Sequence, residues 1–160
     1  MTRLPGRALR GAALLGLLVA SGCAVPRWPV EGPMTSAWGV RWRGLLPEVH
    51  RGVDIAVPTG TPVRAMTGGR VRFAGAQSDY GNVIWIDHGG EVLTVYAHLS
   101  RIDVQTRQEI ESGQQIGLSG ASGNAAGPHL HFELWRWGRE VDPVPLLGRR
   151  PDAGGLQPKP

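Results

Sequence analysis

The sequence predicts a small all-β domain of antiparallel sheets. Three observations carry this expectation. The 160 residues include 24 glycines and 13 prolines, no long helical periodicity follows residue 22, and runs of about five to eight residues with strand character lie between turn-forming stretches. A chain of this length buries a core without disulfide staples, and its single cysteine allows no internal bridge. The pattern alone does not separate a sandwich from another sheet or barrel.

The first 22 residues have a different character. Arg3, Arg7 and Arg10 precede an apolar run from Ala12 to Ala20 and the small pair Ser21-Gly22, the layout of a secretory signal. The run is too short for a membrane-spanning helix. Cys23 follows directly, and the junction resembles the lipobox of bacterial lipoproteins, with Ala20 where leucine is usual. That resemblance implies a lipid on Cys23, a cell-envelope location and, in a Gram-negative cell with Ala24 after the cysteine, the outer membrane facing the periplasm. The formal charge of +4 shrinks once the leader is set aside. Three of the 17 basic residues lie in it, leaving 14 against 13 acidic ones, which gives no footprint for nucleic acid. The expected organisation is therefore a signal peptide over 1–22, a lipid-anchor tether over 23–32 with Pro26, Pro29 and Gly32, a folded domain over 33–147, and a disordered tail over 148–160.

Within the domain, residues 33–41 read as a strand and turn. His50 to Ala56 lies between Pro47 and Pro58, and its β-branched residues favour a strand on which His50, Gly52 and Asp54 share one face. Arg70 to Ala74, Asn82 to Asp87 and Glu91 to His98 read as three strands of an antiparallel meander. On the third, Thr94, Tyr96 and His98 are expected on one face, with His98 either a solvated rim residue or a catalyst. Residues 100–127 look looser. The small-residue loop Ser119 to Gly127 has no Gly-Lys-Ser/Thr and no helical pattern after it, which excludes a phosphate-binding loop. It reads either as a plain connection or as a low wall beside a substrate. In Pro128 to Glu133, His129 and His131 share a strand face opposite Leu130 and Phe132. That face continues through Glu133, Trp135 and Trp137, as packing or as a groove lining.

The chain thus offers His50, Asp54 and His131 as a two-histidine, one-carboxylate set, with His98 and His129 left over. Three protein ligands and an open fourth position suit a catalytic zinc, whereas structural zinc is closed by four ligands and often by cysteines. Two further histidines near a metal could take a proton from water or donate to an oxyanion and leaving amine.

These residues resemble the lysostaphin/LytM-type zinc metallopeptidases, a family of peptidoglycan endopeptidases. The family pattern His-x-Gly-x-Asp, Tyr-x-His-Leu and Gly-Pro-His-Leu-His-Phe-Glu stands here as His50 to Asp54, Tyr96 to Leu99 and Gly127 to Glu133. Tyr80 to Val83 and Asp87 to Gly89 fit the same family. The resemblance implies a sandwich-like antiparallel domain with a groove over a zinc site, in which His50, Asp54 and His131 hold Zn²⁺ and His98 and His129 are non-ligand catalytic residues. His88 matches no functional position and is expected to be structural. The implied substrate is the peptide of peptidoglycan, cut at stem peptides or cross-bridges. The alternative is a non-catalytic wall-binding module or amidase activator using the same groove, since some relatives have lost metal or catalytic residues.

Overall fold

The computed structural model describes residues 25–43 and 45–148, so the leader, Cys23 and the tail beyond Gly148 lie outside the described residues. The chain first runs along the body of the domain. Arg27 N–H donates to Met66 O at 3.0 Å and Arg64 N–H to Pro29 O at 2.9 Å. Val30 is buried in the main core, and Trp28 meets the Phe132 ring edge-on at 6.3 Å. The stretch expected as a short extended tether is therefore packed on the domain from Arg27 onwards. Its prolines keep the backbone extended, but Trp28 and Val30 bring apolar surface that the core removes from water.

β1 (Met34–Ser36) is followed by a hairpin of β2 (Gly39–Arg43) and β3 (Leu46–His50), then by β4 (Val53–Ile55) and β5 (Pro62–Arg64). The expected meander follows as β6 (Gly69–Gln77), β7 (Gly81–Asp87) and β8 (Val92–Leu99). The stretch that reads as loose holds three short strands, β9 (Arg101–Ile102), β10 (Glu109–Ile110) and β11 (Gln115–Leu118). β12 (Leu130–Arg136), β13 (Arg139–Val141) and one helical turn, α1 (Val144–Leu147), complete the described chain.

The large sheet runs in the order β1-β4-β12-β8-β7-β6-β10, with β13 also on β12, and its pairings are antiparallel. β5-β11-β9 form a second sheet, and β2-β3 stand as a separate pair. The main core lies between the first two sheets. Val53, Ile55, Ile84, Tyr96, Leu99, Leu130, Phe132 and Leu134 of the large sheet join Val63, Met66 and Ile116 from the second sheet and its flank. Such face-to-face burial makes the domain sandwich-like. On the other face of the large sheet, Val83, Val95 and Ala97 form a smaller cluster with Trp85 and Trp135 packed against it.

Two local departures from strand alternation shape the site. The expected single strand from His50 to Ala56 is interrupted at Arg51-Gly52. A Cβ at Gly52 would lie 2.3 Å from Phe132 O, so only glycine lets the chain pass beside β12 there. His50 and Asp54 therefore come from different strands.

The second departure is at His98. Leu99 opposes Asn82 while Tyr96 opposes Ile84, so β8 carries one residue more than β7 between these pairs. His98 takes a left-handed φ of 61° within this bulge. Thr94 and Tyr96 bond one another in the core at 3.0 Å, whereas His98 turns towards His131, with ring centroids 5.9 Å apart. The three residues do not share a face. Histidine is among the few non-glycine residues that adopt this backbone with some frequency, and bulges commonly re-aim side chains beside active sites.

Candidate metal centre and groove

β12 pairs with β4 so that His131 lies opposite Asp54, and on its other side with β8 so that His131 lies opposite Ala97. The end of β3 brings in His50. His50 Nε2 is 3.1 Å from Asp54 Oδ1 and 3.2 Å from His131 Nδ1, and His131 Nδ1 is 2.8 Å from Asp54 Oδ1. The three atoms form a nearly equilateral triangle.

The outward nitrogens decide which atoms face inward with lone pairs. His50 Nδ1 is 2.7 Å from Ala37 O, and His131 Nε2 is 3.0 Å from Glu133 Oε1. Carbonyl and carboxylate oxygens only accept, so each of these nitrogens carries the proton and donates. In the neutral rings, His50 Nε2 and His131 Nδ1 are then bare and aimed, with Asp54 Oδ1, at one point. Three acceptors about 3 Å apart repel one another unless a cation lies among them. Zn–N and Zn–O bonds of about 2.0–2.2 Å at tetrahedral angles separate ligand atoms by roughly 3.3 Å. The triangle fits zinc closely, and its donor set of two imidazoles and one carboxylate is that of an open, catalytic site. Among the described residues, His50, Asp54 and His131 are the set whose ligand atoms lie close enough together to hold a metal ion.

The electrostatics carry the same demand. Burial would raise the Asp54 pKa, but bonds to His131 and His50 outweigh it and hold the carboxyl far below the usual carboxylate range. Burial opposes charge on His131, yet Asp54 and Glu133 push its pKa up to about 9. The two carboxylates thus favour a positive charge between them, which a metal bound there would supply in place of a proton.

His98 and His129 lie beside the triangle. Their Nδ1–H groups donate to Ser122 O and Gly127 O, both at 2.8 Å, which leaves each Nε2 free. The two rings are 4.7 Å apart, and His129 Nε2 is 3.7 Å from Asp54 Oδ1. Burial lowers the His98 pKa, with His129 and His131 adding to the effect against the opposing Ser122 carbonyl and Asp54. All five sequence-predicted residues therefore meet in one groove of about 600 Å³. Its floor crosses the large sheet from Thr35 and Ser36 on β1 to Asp79 and Tyr80 before β7. Arg41, Glu48 and Val49 of the hairpin also line it, as do Asn124, Ala126 and Gly127 of the small-residue loop and the adjoining Pro128.

Three contributors were not assigned these roles from the sequence. Glu133 shares the face of His131 but is fully buried, accepting from His131, from Tyr80 Oη at 2.7 Å and from Trp135 Nε1 at 2.6 Å. Its two-residue spacing from His131 was the available signal. Tyr80 belongs to the run Tyr80 to Val83 that fits the family but carries no role there, and Arg41 has no pattern of its own. Trp135 instead packs on Trp85, and Trp137 is 67% exposed under Arg136, so neither tryptophan lines the groove. His88 is structural, spanning Gly68 O and Thr94 Oγ1 at 2.8 and 2.7 Å.

Comparison with known proteins adds to this geometry. A model of peptidase family M23 matches residues 48–143. The DD-carboxypeptidase/endopeptidase Mpg of Neisseria meningitidis serogroup B is 39% identical over 121 residues, covering 74% of this chain and 28% of that protein. The murein hydrolase activator NlpD of Escherichia coli is 37% identical over 125 residues, covering 78% and 31%. The chain thus spans less than a third of these curated relatives. A zinc-containing peptidase from Vibrio cholerae matches the structure with a TM-score of 0.70 and 37% identity, over 74% of this chain and 39% of that one. The catalytic domain of the antimicrobial peptidase lysostaphin from Staphylococcus simulans matches with 0.64 and 32% identity, over 70% and 89%.

Proposed function

The chain belongs to peptidase family M23, and from that premise we propose that it is a zinc-dependent endopeptidase that hydrolyses peptide bonds in the stem peptides or cross-bridges of peptidoglycan. The observation that carries the proposal is the inward set of His50 Nε2, Asp54 Oδ1 and His131 Nδ1, with the outward nitrogens of both rings held by other acceptors. His50, Asp54 and His131 would hold the zinc, which would supply Lewis acidity to polarise the scissile carbonyl and activate water. Ala37 O and Glu133 keep the ligand rings oriented. His98 and His129, with Nδ1–H fixed on backbone carbonyls, offer Nε2 to the groove. One would take the proton of the attacking water on its Nε2 and, as the imidazolium so formed, pass it to the leaving amine; the other would donate from Nε2 to the developing oxyanion when its ring carries both protons.

Digestion of muropeptides with the zinc-loaded protein, read by mass, tests the activity and identifies the bond. Scission of cross-linked dimers at a peptide bond supports the proposal. Intact dimers, together with faster glycan-strand stripping by an added amidase, would favour the activator role carried in the name of NlpD.

The same proposal sets the protein in the cell envelope, anchored by lipid on Cys23, and in a Gram-negative cell on the outer membrane facing the periplasm. The arginines, apolar run and small residues before Cys23 support this. Cys23→Ser should leave the precursor unprocessed or release the protein, and unchanged processing and membrane attachment would sink the idea.

A further inference from the structure

The two oxygens of Asp54 have different neighbours. Oδ1 faces His50, His131 and His129 at 3.1, 2.8 and 3.7 Å. Oδ2 faces Arg41 Nη1 at 3.5 Å. That guanidinium is itself held in place, since Nη1 donates to Ser36 Oγ at 2.9 Å and Nη2 to Glu48 Oε1 at 3.3 Å. Ser36 Oγ in turn is 3.2 Å from Nδ1 of His50. One nitrogen of Arg41 therefore contacts one candidate ligand, Asp54, directly and a second, His50, through Ser36.

The hairpin delivers this arginine. Gly39, with φ of 110° in the region that favours glycine, opens the turn into β2. Arg41 then pairs with Glu48 across the hairpin, facing the groove, while Val40 and Trp42 are exposed on the other face. The pair β2-β3 joins neither of the larger sheets. Arg41 also precedes the segment matched by the family model, which begins at residue 48.

A carboxylate free to swing can give a metal both oxygens, which fills room that a catalytic site keeps open. We infer that Arg41 is a positioning residue that holds Asp54 Oδ2 away from the metal, so that Asp54 offers Oδ1 alone and a coordination position stays free. This rests on the metal-centre reading above. A guanidinium suits the task because it stays charged at all working pH values and its planar fork reaches Ser36, Asp54 and Glu48 together. An ammonium at the same place is a single point and cannot span all three.

The test is cobalt substitution of the wild-type protein, Arg41→Met and Arg41→Lys, with visible absorption recorded beside zinc content and kinetics on muropeptides. The expected result for Arg41→Met is one metal per chain, weaker cobalt absorption as coordination rises from four towards five, and kcat down roughly 10- to 100-fold with KM little changed. Arg41→Lys should fold as the wild type and recover part of both signals. A wild-type cobalt spectrum in both variants would overturn the inference while leaving the metal centre intact. A raised KM at constant kcat would also overturn it, assigning Arg41 to the substrate. Failure of the wild-type protein to bind any metal would remove the metal-centre reading and the inference together.

Discussion

On one face of β12, Leu130, Phe132 and Leu134 are buried among apolar side chains; on the other, Glu133 is equally buried and His131 nearly so, among polar ones. Neighbours along a single strand thus meet opposite requirements. The apolar face needs volume filled, and side chains of similar size can substitute at modest cost. The polar face needs each donor matched to one acceptor, because a buried group left unpaired costs about 1–3 kcal/mol. Alternation ties the two together, since the core that fixes Phe132 also fixes the backbone that aims His131.

Substitutions on each face break this comparison at a different point. The largest effect is expected from His131→Ala, which removes a proposed ligand and leaves Asp54 and Glu133 without the side chain they share. Zinc content and activity should fall together, and the melting temperature should drop because metal bound only to the folded protein stabilises it. Retention of both zinc and activity would dismantle the site described here.

His98→Ala sharpens the contrast within the site, since His98 lies outside the triangle. Zinc should stay near one per chain by metal analysis while kcat falls by roughly 10²- to 10⁴-fold. Loss of zinc equal to that of His131→Ala would show that His98 is a ligand.

Phe132→Ala, on the opposite face, should cost about 3–5 kcal/mol in denaturant unfolding. The fraction that remains folded should keep its zinc. A variant stable but empty of metal would mean that the two faces are not separable.

The smallest effect concerns His88, a histidine that serves the core side through Thr94. Burial lowers its pKa against the opposing Gly68 carbonyl and Asp87. The folded state then binds its proton less readily than the unfolded chain, so the neutral ring contributes stability above about pH 6.5 that is lost as pH falls towards the folded pKa. His88→Gln should flatten the decline of unfolding free energy on acidification through that window. An unchanged slope would show that other groups carry it.

The meander β6-β7-β8 was legible because turn residues separate its short strand-forming runs. The five residues that meet in the groove were legible as short motifs with fixed spacing. What the sequence hid depends on contacts far apart in the chain. Whether His98 follows Tyr96 into the core depends on a register shift against β7, which no local pattern marks. The break at Gly52 depends on the closeness of Phe132 O, and the packing of Trp28 depends on partners more than a hundred residues away. Arg41 looked like any surface arginine until the hairpin folded it over Asp54.

The docking of Arg27 on Met66 has a consequence for reach. With lipid on Cys23, as proposed above, only residues 24–26 lie between the membrane anchor and the first backbone bond to the domain. Four Cα steps span at most about 14 Å. The groove would then travel with the bilayer rather than on a long leash, and the wall strands it can cut are those that come within about one domain diameter of the membrane surface. Distance from the membrane, as much as peptide chemistry, would select the substrate.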